Sequence, residues 1–142
     1  MNDSAEALNG RCLCGAVRFR VTAPVITMGH CHCSMCRHAH GTAFSTYCQV
    51  DAAAVEVSAG REAITRYDSS PGAAREFCRH CGSKLFYRAR EMPEFLWVAA
   101  GVLDDDPGVR PDFHIFVASK APWHEITDTL PRYDEFPPGD GH

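Results

Sequence analysis

Cys78-Arg79-His80-Cys81-Gly82 is a pair of thiols closed by a glycine, and Cys12-Leu13-Cys14-Gly15, far earlier in the chain, has the same design. Short spacings of this kind put two sulfurs on one side of a tight turn, where both reach a single metal ion. A closed tetrahedral zinc site needs four such ligands at about 2.3 Å. The glycine after each second thiol is free to take a positive φ and let backbone amides approach the sulfurs. We therefore expect Cys12, Cys14, Cys78 and Cys81 to form one structural zinc site that ties both ends of a sheet together.

Outward from these anchors the pattern is one of short strands. Val17, Phe19 and Val21 alternate with Arg18 and Arg20, which gives one apolar and one wet face. Residues 44–50, 55–57, 63–67, 85–87, 95–98 and 114–117 read as further strands. Turns are expected at Ala59-Gly60, Ser70-Pro71-Gly72 and Pro107-Gly108. Helical turns are expected only over 34–40 and over 123–129, the second stopped by Leu130-Pro131. Trp123 is expected in the core, and Asp104-Asp105-Asp106 in a solvated turn. No repeat or linker divides the chain. The expected fold class is all-β or β-rich, one domain over 10–136, with a frayed start over 1–9 and a flexible tail over 137–142.

The middle of the chain carries a different cluster, Cys31-His32-Cys33-Ser34-Met35-Cys36. It offers three thiolates and no glycine-closed turn. Three protein ligands leave one tetrahedral position open, the property that separates catalytic from structural zinc. The alternative is closure by a nearby imidazole. His30, His32, His38 and His40 all lie within a few residues, and His38 or His40 reaches the metal if the segment after Cys36 turns back. The two clusters use seven of the eight cysteines and leave Cys48, which alternates with Tyr47 and Gln49 and is expected to pack as a small buried hydrophobe.

Composition sets bounds on this reading. A length of 142 residues suits one domain. Apolar residues at 45% and charged residues at 23% are ordinary for a globular chain. A net charge of −4, from 14 basic and 18 acidic side chains, argues against a nucleic-acid partner. No apolar run is long enough to span a bilayer, so no membrane role is expected. The opening Met1-Asn2-Asp3-Ser4-Ala5-Glu6 is polar and acidic, unlike a secretory signal, so the thiols are expected in a reducing cytoplasm. Nothing in the sequence sets an oligomeric state.

Several segments, in this order, resemble the glutathione-dependent formaldehyde-activating enzyme family, the CENP-V/GFA domain. They are Gly10-Arg11-Cys12-Leu13-Cys14-Gly15-Ala16-Val17-Arg18-Phe19, His30-Cys31-His32-Cys33-Ser34-Met35-Cys36-Arg37 and Gly41-Thr42-Ala43-Phe44. Downstream, Arg75-Glu76-Phe77-Cys78-Arg79-His80-Cys81-Gly82-Ser83, Gly101-Val102-Leu103-Asp104-Asp105, and Lys120-Ala121-Pro122-Trp123 with Ile126-Thr127-Asp128 complete it. The resemblance implies a fold of the β-tent type with two zinc ions per chain. One would be structural, on Cys12, Cys14, Cys78 and Cys81, and one catalytic, on Cys31, Cys33 and Cys36. It implies carbon–sulfur chemistry on glutathione, the joining of formaldehyde to the thiol or the cleavage of such adducts.

The expected function is thus that of a zinc-dependent carbon–sulfur lyase or synthase acting on glutathione or an S-substituted glutathione. The alternative is a non-catalytic module with two structural zinc ions that mediates protein interactions. Glutathione carries two carboxylates, so cations near the cleft would help to bind it. Arg37, next to the last ligand of the central triplet, is the expected contact, and Arg79 and Lys84 flank the other knuckle.

Overall fold

The structure is a computed structural model that describes residues 7–137. Ten strands and one α-helix follow in the order β1 (Leu8–Arg11), β2 (Arg18–Val21), β3 (Thr27–Cys31), α1 (Ser34–His40), β4 (Ser45–Asp51), β5 (Val55–Ala59), β6 (Ile64–Ser70), β7 (Ala73–Cys78), β8 (Lys84–Ala89), β9 (Phe95–Ala99) and β10 (His114–Ile115). Short 3-10 turns join some of them. Two sheets result, a small one ordered β1-β2-β5 and a seven-stranded one ordered β10-β3-β4-β9-β8-β7-β6. Neighbours are antiparallel except β10, which joins β3 in parallel, His114 opposite His30. The protein is a β-rich single domain, as the alternation in sequence requires.

The two-residue period of a strand gives the large sheet two different faces. Cys48 and Val50 of β4, Phe86 of β8, and Leu96 and Val98 of β9 turn towards the small sheet and form the core with Val17, Phe19 and Val21. Phe19 meets Phe86 edge to face at 5.1 Å, the central contact between the layers. Cys48 is fully buried there, the apolar role that its alternation indicates. Tyr47, Gln49, Tyr87 and Trp97, one residue out of phase, line a cavity on the opposite face.

Four details depart from the sequence reading. Leu8 and Asn9, read as part of a frayed start, pair with Val21 and Arg20 in β1. Residues 1–6 of that start, and the tail beyond residue 137, lie outside the described residues. β3 and β7 were not legible as strands. Residues 123–129 form no helix. Asp128 there accepts from the Leu130 amide and from His114, and Lys120 Nζ donates to the carbonyls of Ala121 and His124, so side chains hold this segment in irregular form. Trp123 is 72% exposed and does not belong to the core.

Candidate metal centres and cavity

The four outer thiols come together. Cys12 and Cys14 follow β1, Cys78 ends β7, and Cys81 lies in the turn to β8. Gly15 and Gly82 have φ values of 81° and 80°, the left-handed turns that the closing glycines allow. Cys12 Sγ lies 3.6 Å from Cys14 Sγ, which lies 3.9 Å from Cys78 Sγ, and all four sulfurs are within 4.8 Å of one another. Four sulfurs at about 2.3 Å from one tetrahedral ion would be about 3.8 Å apart, so the donor set fits a metal ion. The Val17 and His80 amides point at Cys12 Sγ and Cys78 Sγ from 3.3 and 3.4 Å. Ser83 Oγ holds the two knuckles together, accepting from the Leu13 amide at 2.8 Å and lying 3.2 Å from Cys81 Sγ.

The central thiols straddle a junction. Cys31 ends β3, Cys33 is the N-cap of α1, and Cys36 lies in its first turn. The Cys36 amide donates to Cys33 Sγ at 3.2 Å, and Gly41, at φ 67°, closes the helix by donating to the Arg37 carbonyl. All three sulfurs lie within 4.8 Å of one another, a donor set that also fits a metal ion. Crowding splits their acidities. Cys33 is held far below an ordinary thiol by hydrogen bonds from Cys31 and then Cys36, while Cys31 is pushed up by sharing with Cys33. One thiol of the three ionises readily and the others resist without a cation among them.

No nearby histidine joins this cluster among the described residues. His30 Nδ1 bonds Thr46 Oγ1 at 2.7 Å, His38 Nδ1 bonds the Ser34 carbonyl at 2.7 Å, and His40 Nε2 bonds Tyr47 Oη at 2.9 Å. His32 points away from its flanking thiols, with Nε2 2.8 Å from His114 Nδ1. His114 Nε2 in turn lies 3.0 Å from Asp128, which fixes that ring as the donor to the carboxylate and His32 as the donor to His114. This chain, with both rings buried and Asp128 at the surface, pins the backbone between Cys31 and Cys33. It leaves His32 Nδ1 unpartnered, and burial, then the neighbouring His114, pushes the His32 imidazole down to about 4.

Cys31, Cys33 and Cys36 all line the cavity on the outer face of the large sheet, which has a volume of about 470 Å³. Arg37, the expected cation, is not on its wall, and its Nε is buried without a partner. The guanidinium that does face the cavity is Arg75, on β7. Its Nη1 and Nη2 both lie 3.7 Å from Cys36 Sγ, and it covers the Tyr87 ring at 5.2 Å. Arg75 is visible within the Arg75–Cys78 motif, but its role depended on a strand that the sequence did not reveal. Arg79 and Lys84 are also absent from this cavity.

The model of the glutathione-dependent formaldehyde-activating enzymes matches residues 7–119, which include both cysteine clusters. The chain belongs to this family. A Halomonas elongata protein, named provisionally as a glutathione-dependent formaldehyde-activating enzyme, is 35% identical over 128 residues, 84% of this chain and 80% of its own. An uncharacterized lyase of Schizosaccharomyces pombe is 29% identical over 97 residues, 66% of this chain and 69% of its own. A solved Rhodobacter sphaeroides protein superposes with a TM-score of 0.58 at 29% identity, covering 72% of this chain and 91% of that one. As a member of the formaldehyde-activating family, the chain is tied to glutathione chemistry through the family as a whole. No described helix is long and apolar enough to cross a membrane.

Proposed function

We propose that the protein is a zinc-dependent carbon–sulfur lyase or synthase that makes or breaks the bond between a glutathione-type thiol and a carbonyl carbon. The observation that carries this reading is the central triplet. Three thiols with no fourth protein donor among the described residues line an open cavity. Cys12, Cys14, Cys78 and Cys81 would hold a structural zinc, and Cys31, Cys33 and Cys36 a catalytic one. The catalytic ion would supply Lewis acidity and an open position that favours a substrate sulfur as thiolate.

The chain's own residues supply the rest. Three thiolates around a divalent ion carry a net charge of about −1, and the Arg75 guanidinium on Cys36 offsets it. In the synthetic direction a sulfur–carbon bond forms, the carbonyl π pair moves to oxygen, the thiol gives up a proton and the oxygen takes one. Cleavage is the reverse. Tyr47 Oη, in the cavity wall and bonded to His40 Nε2, holds a proton at the oxygen's side. Burial, and then the Cys36 charge, pushes the Tyr47 phenol upward and keeps it protonated. His32 and His38 are bonded elsewhere and do not line this cavity.

The test is exchange between labelled formaldehyde and its glutathione adduct, followed by NMR with zinc-replete protein. Exchange above the uncatalysed rate, lost in Cys33→Ser, is the expected result. No acceleration by metal-loaded protein, with formaldehyde or with a larger aldehyde in its place, overturns the reading and leaves a module with two structural metals.

A further inference from the structure

The wall of the cavity beside the central thiols is made for a larger guest than formaldehyde. Formaldehyde has two heavy atoms and fills roughly the space of two waters, about 60 Å³. The cavity holds about 470 Å³, in the range of sites for drug-sized molecules. Its apolar lining includes Trp97, Tyr87, Phe113, Phe116, Met35 and Met92, beside polar residues such as Gln49 and Ser119. Tyr87 and Trp97 stand edge to face at 5.8 Å and 83°, an arrangement that a further ring extends.

The charges point the same way. The lining contains no Asp, Glu or Lys, and its one guanidinium, Arg75, is shared with Cys36 Sγ and the Tyr87 face while its Nε stays buried and unpartnered, one cation against two carboxylates. Glutathione carries two carboxylates and an ammonium group. Burying those without counter-charges costs far more than their contacts return. The peptide part of an adduct therefore stays at the mouth, and what enters is the group attached to sulfur. A hydroxymethyl group is too small and too polar to cover these rings.

We infer that the carbonyl partner is an aromatic aldehyde, so that the species handled at the Cys31, Cys33 and Cys36 site is its hemithioacetal with the thiol. This rests on the thiol-adduct reading above. The step balances without an oxidant or reductant. Sulfur bonds to the aldehyde carbon, the π pair goes to oxygen, and the proton that leaves the thiol is matched by one gained at the new hydroxyl. The aryl ring lies against Trp97 and Phe113.

The test uses stable mimics on the zinc-replete full chain, with glutathione, S-methylglutathione and S-benzylglutathione compared by calorimetry. S-benzylglutathione should bind at least roughly tenfold more tightly than S-methylglutathione, since only it buries a ring. Trp97→Ala should bring that ratio towards one, and if this variant does not fold, the wild-type ratio decides alone. Hemithioacetal formation from benzaldehyde should also be accelerated more than that from formaldehyde. Equal binding of the benzyl and methyl adducts overturns the aromatic class and leaves the thiol chemistry standing. Failure of all three thiol compounds to bind overturns both.

Discussion

The two cysteine clusters use the same atom for different ends, and their surroundings make the difference. The outer four are built on turns. Cys12 and Cys78 are buried in the core cluster with Phe19 and Phe86, and the outer sulfurs meet one another, backbone amides and a serine. The central three sit where a strand becomes a helix, face a cavity, and have a guanidinium and a tyrosine–histidine pair beside them. Sulfur spacing alone says where a metal is held. Whether it can also react depends on what the fold leaves open in front of it.

The sharpest way to break this contrast is to remove one thiol from each side. Cys78→Ser should abolish the cooperative melt, because structural zinc binding is coupled to folding by about 10 kcal/mol. Cys33→Ser should melt within a few degrees of the parent and lose turnover by roughly 10²-fold or more. Equal damage to the melt from both substitutions would make the central cluster structural too.

A smaller effect is expected at the guanidinium that contacts a central sulfur. Arg75→Gln should lower turnover by roughly 10²-fold, and Arg75→Lys by roughly tenfold, since a lysine restores the charge but not the two-nitrogen fork on Cys36. Steady-state rates on metal-loaded protein are the readout. Neither change should alter metal retention at the outer cluster, measured by chelator competition.

The smallest effect is in acid. Burial first, then the charges of Arg75 and Lys84, pushes His40 down from 6.5 to about 4, so the folded protein keeps it neutral while the unfolded chain protonates it. Its contribution is fully present above pH 6.5, declines as pH falls through that value and is gone below about 4. His40→Gln should therefore flatten the acid loss of stability over this window by on the order of 1 kcal/mol. Urea melts of parent and variant at pH 7 and pH 4.5 measure it, and parallel losses would remove His40 from the account.

Much of this was legible in the sequence because its signals are local. Cys48 between Tyr47 and Gln49 displays the strand period directly, and 34–40 is a helix whose N-cap is itself a cysteine. The two cluster assignments also followed from spacing, since C-x-C and C-x-x-C fix the sulfurs within one turn. What stayed hidden depends on partners far away. Ala73-Ala74-Arg75-Glu76 suits a helix by local preference, and only pairing on both sides with β6 and β8 makes it a strand. Thr27-Met28-Gly29-His30-Cys31 shows no alternation. A β-carbon on Gly29 would lie 2.1 Å from the Phe113 ring, so the residue is small because of a neighbour more than eighty positions later. Arg75 escaped notice for the same reason. Its use is set by Cys36 and Tyr87, on α1 and β8, and not by anything beside it in the chain.

Cys14 Sγ and Cys78 Sγ lie 3.9 Å apart with 64 residues between them, and this has a consequence for the order in which the protein is made. A chain emerges from the ribosome N-terminus first. Cys12 and Cys14 are therefore exposed long before their partners exist, and the next thiols to appear are Cys31, Cys33 and Cys36. During that interval the central triplet is the competing ligand set for any ion the first knuckle meets. A nascent chain that closes on it must release the ion again before Cys78 and Cys81 can enter. With both clusters holding zinc as proposed, metal supply during synthesis would set the yield of correctly assembled protein, because the trap lies in the sequence order of the ligands.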